Sequence, residues 1–276
     1  MSQLLENQVA LITGAARGIG AAAAHLFAQQ GAQVVINDRD EALVRTVASE
    51  IRSAGGDAIA VAGDLTSPEF PQHLIEETIA KYGMLNILVN NAGYTWDGMI
   101  HKMTDRQWEA MLEIHNTAPF RLIRAAAPHI RDAAKAEREE HRREEPRCII
   151  NVSSTSGIHG NAGQANYSTA KMGIVGLTKT LAREWGLYGI RTNAIAYGYI
   201  DTRLTMAKEG GDKIQVEGED IQLGIPSHLR DFATMMIPLG RTGTVDEAAG
   251  AMLLLASPYA SYINGHVLEV TGGMGI

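Results

Sequence analysis

The sequence predicts an α/β fold built on a doubly wound parallel sheet, with helices on both faces in a three-layer α/β/α arrangement. Three observations predict it. Short apolar, β-prone runs alternate with helical segments along the chain, the pattern of a parallel sheet covered on both sides. The first run passes through a glycine turn directly into an Ala-rich helix. The second ends on an acidic residue, Asp38, eighteen positions after the last glycine of that turn. A chain of 276 residues is long enough for one such domain, 1–276, and short for two.

Composition narrows the function classes. The formal net charge of −7 and the absence of a concentrated Lys/Arg patch argue against a nucleic-acid surface. No apolar run is long enough to span a bilayer, and MSQLLENQ reads as neither a basic start nor an apolar signal core, so a cytoplasmic protein is expected. The single cysteine, Cys148, cannot form an internal disulfide and reads as an inert core thiol. The nine histidines form no His-x-x-x-His or Cys/His cluster, so no catalytic metal is expected.

In chain order, Val9–Ile12 is a short strand leading into Thr13-Gly14-Ala15-Ala16-Arg17-Gly18-Ile19-Gly20 and a helix over 21–30. A strand, a glycine turn and a helix N-terminus form an anion cradle, because backbone N–H groups point outward and glycines let a pyrophosphate approach. The next strand, 33–37, ends at Asp38, where a carboxylate can accept both adenosine ribose hydroxyls and repel a 2′-phosphate. Asp38 therefore favours NAD over NADP, while Arg39 beside it is the residue that could pair with a 2′-phosphate. A helix to Ala54, a strand over 58–62 ending at Asp64-Leu65, a helix over 68–82 and a strand over 86–89 follow.

Asn90-Asn91-Ala92-Gly93 closes that strand, and the loop with Trp96 after it is expected to face the substrate. Thr104 caps a long helix over 105–127, with Asn116 near its middle and Pro119 predicting a locally broken hydrogen-bond ladder. Residues 134–147 carry five Lys/Arg and five Asp/Glu, which suits a solvated helical insertion. The run 148–152 is a strand suited to burial on both faces, and Ser154 stands at its mouth. Helical spacing resumes after Gly163, placing Tyr167 and Lys171 at i and i+4 on one face, where an ammonium could stabilise a phenolate and make Tyr167 a general acid/base. A strand over 190–195, an irregular stretch over 203–238, a helix over 245–256 and a closing strand over 267–270 complete a Rossmann-like plan.

The ordered set Ser154, Tyr167 and Lys171, with Thr-Gly-x-x-x-Gly-x-Gly at 13–20 and Asn-Asn-Ala-Gly at 90–93, resembles the short-chain dehydrogenases/reductases over nearly the whole chain. The resemblance implies a nicotinamide-dependent oxidoreductase interconverting a carbonyl and a secondary alcohol, with Asn116, Ser154, Tyr167 and Lys171 as the catalytic four. It implies that Lys171 lowers the tyrosine pKa and bonds the nicotinamide ribose, and that Asn116 holds a water in the proton relay. Cofactor contacts are implied for Gly14, Arg17, Gly18, Ile19, Gly20, Asp38, Asp64, Leu65, Asn91, Ala92, Gly93, Ile200 and Thr202, as well as Tyr167 and Lys171.

At 196–202 the family's expected proline is replaced by Tyr197, whose ring is expected to line the substrate pocket. Segment 203–238 is the family's substrate lid, where Met206 could cover an apolar substrate, and His159 could touch it. The run Gly160–Tyr167 is similar to 3-oxoacyl-(acyl-carrier-protein) reductases. Asp38 and the lack of matching arginines near Tyr188 shift weight from a carrier protein to a coenzyme A thioester, a secondary alcohol or a hydroxysteroid. A noncatalytic nucleotide-binding regulator is the rival class, and a homotetramer or homodimer is expected by analogy.

Overall fold

A computed structural model describes residues 3–140, 145–207, 209, 211–216 and 218–275. The insertion expected over 134–147 falls partly on residues 141–144, and Lys208, Gly210 and Glu217 of the expected lid also lie outside the described residues. Seven strands form one parallel sheet: β1 (Val9–Thr13), β2 (Gln33–Asp38), β3 (Asp57–Ala62), β4 (Ile87–Asn90), β5 (Arg147–Ser154), β6 (Ile190–Tyr197) and, last in the chain, a strand at Val267–Val270. Their spatial order is β3-β2-β1-β4-β5-β6 followed by that last strand, so the chain reverses its direction of winding between β1 and β4. A crevice opens at that reversal, at the C-terminal ends of the strands.

The helices are α1 (Gly18–Gln29), α2 (Glu41–Ser53), α3 (Phe70–Tyr82), α4 (Asp105–Leu112), α5 (Ala118–Ala127), α6 (Ala133–Glu139), α7 (Thr155–His159) and α8 (Ala165–Trp185). Beyond β6 come a hairpin of β7 (Lys213–Val216) and β8 (Glu219–Gln222), then α9 (Ser227–Met235) and α10 (Val245–Ala256), so the closing strand is β9. Alternation along each strand assigns the two faces. Ala10, Ile12, Val34, Ile36, Val89 and Ile150 pack with α1, α2 and α10. Leu11, Val35, Leu88 and Ile149, their neighbours in sequence, pack with α3, α5 and α8. Strands apolar on both faces are what a sheet between two helical layers requires.

Four expectations change. The helix expected over 105–127 runs on to Glu139 through two π turns, Glu113–Thr117 and Pro128–Asp132. Pro119 has no N–H to give the carbonyl four residues back, and the N–H of Ala118 bonds the oxygen of Glu113 instead, five residues back. The stretch 203–238 is not irregular throughout, since it contains the β7–β8 hairpin and α9. Short helix α7, absent from the sequence prediction, is capped by Ser154, whose Oγ accepts from the N–H of Ser156.

The charged run over 134–147 is not solvated throughout. Glu137 and Arg147 are buried and joined by two hydrogen bonds of 2.6 and 2.7 Å. The backbone N–H of Glu145 also donates to Glu137. A paired, hydrogen-bonded ion couple is the form in which such charges tolerate burial.

Candidate active site

Three loops meet over the β1–β4 crevice. Gly14 has φ 64°, and a Cβ there would lie 2.7 Å from the Cα of Ala92, so only glycine lets the first turn close against the loop after β4. Asn91 sews the two together: its Nδ2 donates to the carbonyls of Thr13 (2.8 Å) and Gly14 (3.1 Å). The Thr13 hydroxyl accepts from the N–H groups of Asn91 and Ala92. Gly20 is walled in, with a Cβ there falling 2.3 Å from the Gly14 oxygen.

Gly18, at the N-terminus of α1 with φ 58°, faces open space instead. A Cβ on it would meet only the Thr202 methyl, at 3.8 Å. The open space over Gly18, between the glycine turn and Thr202, fits a dinucleotide pyrophosphate. Asp38 lies at the same end, its carboxylate accepting from the N–H groups of Ala16 and Asp40, both at 3.2 Å. Arg39 is turned to Asp64 (3.6 Å) and to the carbonyl of Gln215 in β7 (3.1 Å). Arg17 is paired with Asp40 at 2.7 Å.

Asp64 accepts from the N–H and hydroxyl of Thr66, while Leu65 is buried beneath the sheet. Ile19 packs on the core on the other side, and Ile200 is buried there. Asn90 braces the sheet: it donates to Asn151 at 2.8 Å, and Asn151 donates in turn to Thr178 of α8.

The second centre lies where β5 ends and α8 begins. The Ser154 hydroxyl lies close enough to the Tyr167 phenol to draw its pKa down. Lys171, one turn on, is 4 % exposed, and its Nζ donates to the carbonyl of Val152 at 2.8 Å while standing 5.6 Å from the Tyr167 ring centre. Asn116, in the first π turn, donates from Nδ2 to the carbonyl of Ala170 at 2.9 Å. Gly173 permits that approach, since a Cβ on it would lie 2.8 Å from the same nitrogen. The structure thus brings Asn116, Ser154, Tyr167 and Lys171 to one corner of the crevice.

One electrostatic expectation is corrected here. Burial pushes the Tyr167 phenol up to about 12, the Ser154 hydroxyl pulls it the other way, and the charge of Asp97 adds to the rise. Burial alone lowers Lys171 to about 7, so it is only partly protonated at neutral pH. Desolvation outweighs the helix-face pairing that spacing suggested.

The loop after β4 is fastened to the start of α8. Asn166 donates to the carbonyls of Trp96 (3.0 Å) and Gln107 (2.9 Å), and Gln164 donates to both carboxylate oxygens of Asp97 at 3.1 Å. Arg106 lies over the Trp96 ring, 5.6 Å from its centre, and pairs with Glu219 of β8. Through Arg39 at one end and Arg106 at the other, the hairpin is tied to both ends of the crevice. Met206 is exposed, with its carbonyl accepting from the N–H of Ile225.

Two expected substrate contacts are placed elsewhere. Tyr197 does not line a pocket: its ring is buried in the core and its hydroxyl donates to the carbonyl of Ala248 in α10 at 2.7 Å. His159, at the end of α7, is engaged with Glu269 of β9 at 2.9 Å. Sequence reasoning missed His115, which is buried against Tyr167, and the Asp97–Gln164 contact. The signal for the first was available, since His115 directly precedes the mid-helix Asn116.

A parallel sheet with a glycine cradle at its switch point and hydroxyls converging beside a buried lysine defines a dinucleotide-dependent oxidoreductase. Comparison with known proteins makes the class specific. Residues 14–275 match the family described as Enoyl-(Acyl carrier protein) reductase. Similar chains include the 3-oxoacyl-(acyl-carrier-protein) reductases FabG of Thermotoga maritima, 34% identical, and of Vibrio cholerae serotype O1 and Escherichia coli (strain K12), both 36% identical. Each comparison covers 98% of this chain and 98% of the relative. The chain belongs to the short-chain dehydrogenase/reductase family and is an NAD(P)-dependent oxidoreductase acting on a CH–OH or carbonyl group. Among the described residues, no helix is long and apolar enough to cross a membrane and no group of His, Cys, Asp and Glu is arranged to hold a metal.

Proposed function

We propose that the protein is an NADH-linked reductase of 3-oxoacyl thioesters. The observation that carries the chemistry is the convergence of the Ser154 and Tyr167 hydroxyls beside buried Lys171, which prepares two donors for one carbonyl oxygen. Gly14, Gly18, Gly20, Ala92, Gly93 and Thr202 would hold the dinucleotide, and Asp38 would bond its adenosine ribose. When bound, the nicotinamide supplies hydride to the carbonyl carbon.

Ser154 and Tyr167 donate to the carbonyl oxygen. As negative charge grows there, Tyr167 gives up its proton, and a phenol raised to about 12 keeps that proton available until the oxygen becomes more basic. Lys171, near 7, is partly protonated at neutral pH and can return a proton to the tyrosine oxygen. Asn116, anchored to Ala170, keeps the π turn open to a relay water. The thioester class is supported by the relatives, which are 3-oxoacyl-(acyl-carrier-protein) reductases by name. The preference for NADH is supported by Asp38 and by Arg39, which is turned to Asp64 and Gln215.

The test is the initial rate of NADH and NADPH oxidation with acetoacetyl-coenzyme A. Turnover with NADH at least tenfold above NADPH is expected; turnover with NADPH alone would overturn the cofactor assignment, and turnover only with free cyclic or secondary ketones would overturn the substrate class.

A further inference from the structure

His115 stands between the cofactor loop and Tyr167, and its surroundings are unusual for a core residue. It is 3 % exposed. Its Nε2 lies 2.8 Å from the carbonyl of Tyr94, which can only accept, so Nε2 carries the proton and Nδ1 is a bare lone pair. That Nδ1 is buried with no hydrogen-bond partner. An orphaned buried acceptor costs stability that an apolar side chain in the same space would avoid.

The ring makes two further contacts. It meets the Tyr167 ring edge to face, with centres 5.2 Å apart and planes at 82°. It also lies against Gly93, where a Cβ would fall 2.2 Å from Cε1 and 2.8 Å from Nδ1. Room for this imidazole therefore requires glycine at 93. The titratable groups of α8 beside His115 are Tyr167 and Lys171; the loop after β4 presents the Tyr94 carbonyl; Glu113, in the same π turn, is paired with Arg121. Burial, reinforced by Lys171, holds His115 neutral, well below the usual histidine range.

We infer that His115 is a positioning residue for Tyr167: one neutral imidazole, pinned to Tyr94 and seated on Gly93, fixes the rotation of the Tyr167 ring relative to the cofactor loop. The inference rests on the reading of Tyr167 as the proton donor. It goes beyond that reading by naming the group that orients the donor and by giving Gly93 a second reason to be glycine.

Two variants separate the halves of the contact. His115→Gln keeps an N–H for Tyr94 but removes the ring, whereas His115→Phe keeps a ring edge and removes the N–H. In His115→Gln, kcat is expected to fall about tenfold, the range one edge-to-face ring pair supplies, with KM for NADH within about twofold. The pH profile of kcat moves with it. In His115→Phe, kcat stays within about threefold, while KM for NADH rises severalfold because the Tyr94 carbonyl loses the imidazole N–H that holds its loop.

A readout without substrate is the NMR signal of the ring-labelled Tyr167 in ligand-free protein, assigned by its loss in Tyr167→Phe. It should shift in His115→Gln and hold in His115→Phe. Unchanged kcat, pH profile and ring signal in His115→Gln would overturn the inference, as would equal losses of kcat in both variants. If the unaltered enzyme shows no turnover, the proposed function fails while the ring signal still decides the contact, and if His115→Gln does not fold, His115→Leu, which also removes the ring, decides in its place: a shifted Tyr167 signal and lowered kcat support the inference, and both unchanged overturn it.

Discussion

Replacing Lys171 with methionine removes a buried amine while keeping most of its apolar stem, and the structure sets both the sign and the size of the effect. Burial lowers the amine from 10.5 to about 7 in the folded chain, so between those values the unfolded chain binds more protons. Stability from this group therefore rises with pH through that window, and the whole cost is present below about 7. At about 1.4 kcal/mol per tenfold change in acidity, the cost is about 5 kcal/mol. Methionine abolishes it but leaves the Val152 carbonyl without its donor, a loss of about 1–3 kcal/mol. Ligand-free Lys171→Met is thus expected to be about 2–4 kcal/mol more stable than the unaltered protein at pH 6, with the advantage gone by pH 10. Urea denaturation of both proteins at intervals between these pH values reads it directly. A stability difference that does not change with pH would refute the reasoning, because it would mean the amine is not depressed by burial.

Three other substitutions probe separate parts of the account. Ser154→Ala is expected to lower kcat about 100-fold with NADH affinity, measured by fluorescence titration, little changed, since it deletes one of two donors to the reacting oxygen. Asp38→Ala should improve kcat/KM for NADPH relative to NADH by about tenfold by removing a negative charge from the ribose end. Glu137→Ala should cost about 3–5 kcal/mol in urea denaturation by stranding the Arg147 guanidinium, whereas replacing both partners with apolar residues should cost far less.

Much of the sheet was legible because its determinants are local. Each strand is an apolar run with a turn at its end, and the order strand, glycine turn, helix admits few arrangements once right-handed crossovers are required. Asn116, Ser154, Tyr167 and Lys171 were legible as a set because their order and spacing resemble a known family. What stayed hidden depends on contacts between distant segments. The charge run 134–147 looks solvated by composition, yet Glu137 and Arg147 are buried because each finds the other across the segment.

Tyr197 reads as an aromatic at a pocket rim, but the Ala248 carbonyl gives its hydroxyl a partner in the core. The phenol of Tyr167 reads as cation-stabilised from its spacing to Lys171, and only the depth of burial reverses that. The β7–β8 hairpin is short and is held partly by Arg39 and Arg106, which lie far away in sequence. His115 escapes notice because one histidine among nine carries no pattern until Gly93 and Tyr167 are seen to close on it.

The central claim, that Tyr167 delivers the proton at a site able to hold the dinucleotide independently, is tested most directly by Tyr167→Phe. NADH binding should stay within about threefold of the unaltered protein, while reduction of acetoacetyl-coenzyme A falls by about a thousandfold or more. Near-normal turnover in that variant would contradict the account, whatever the affinity for NADH.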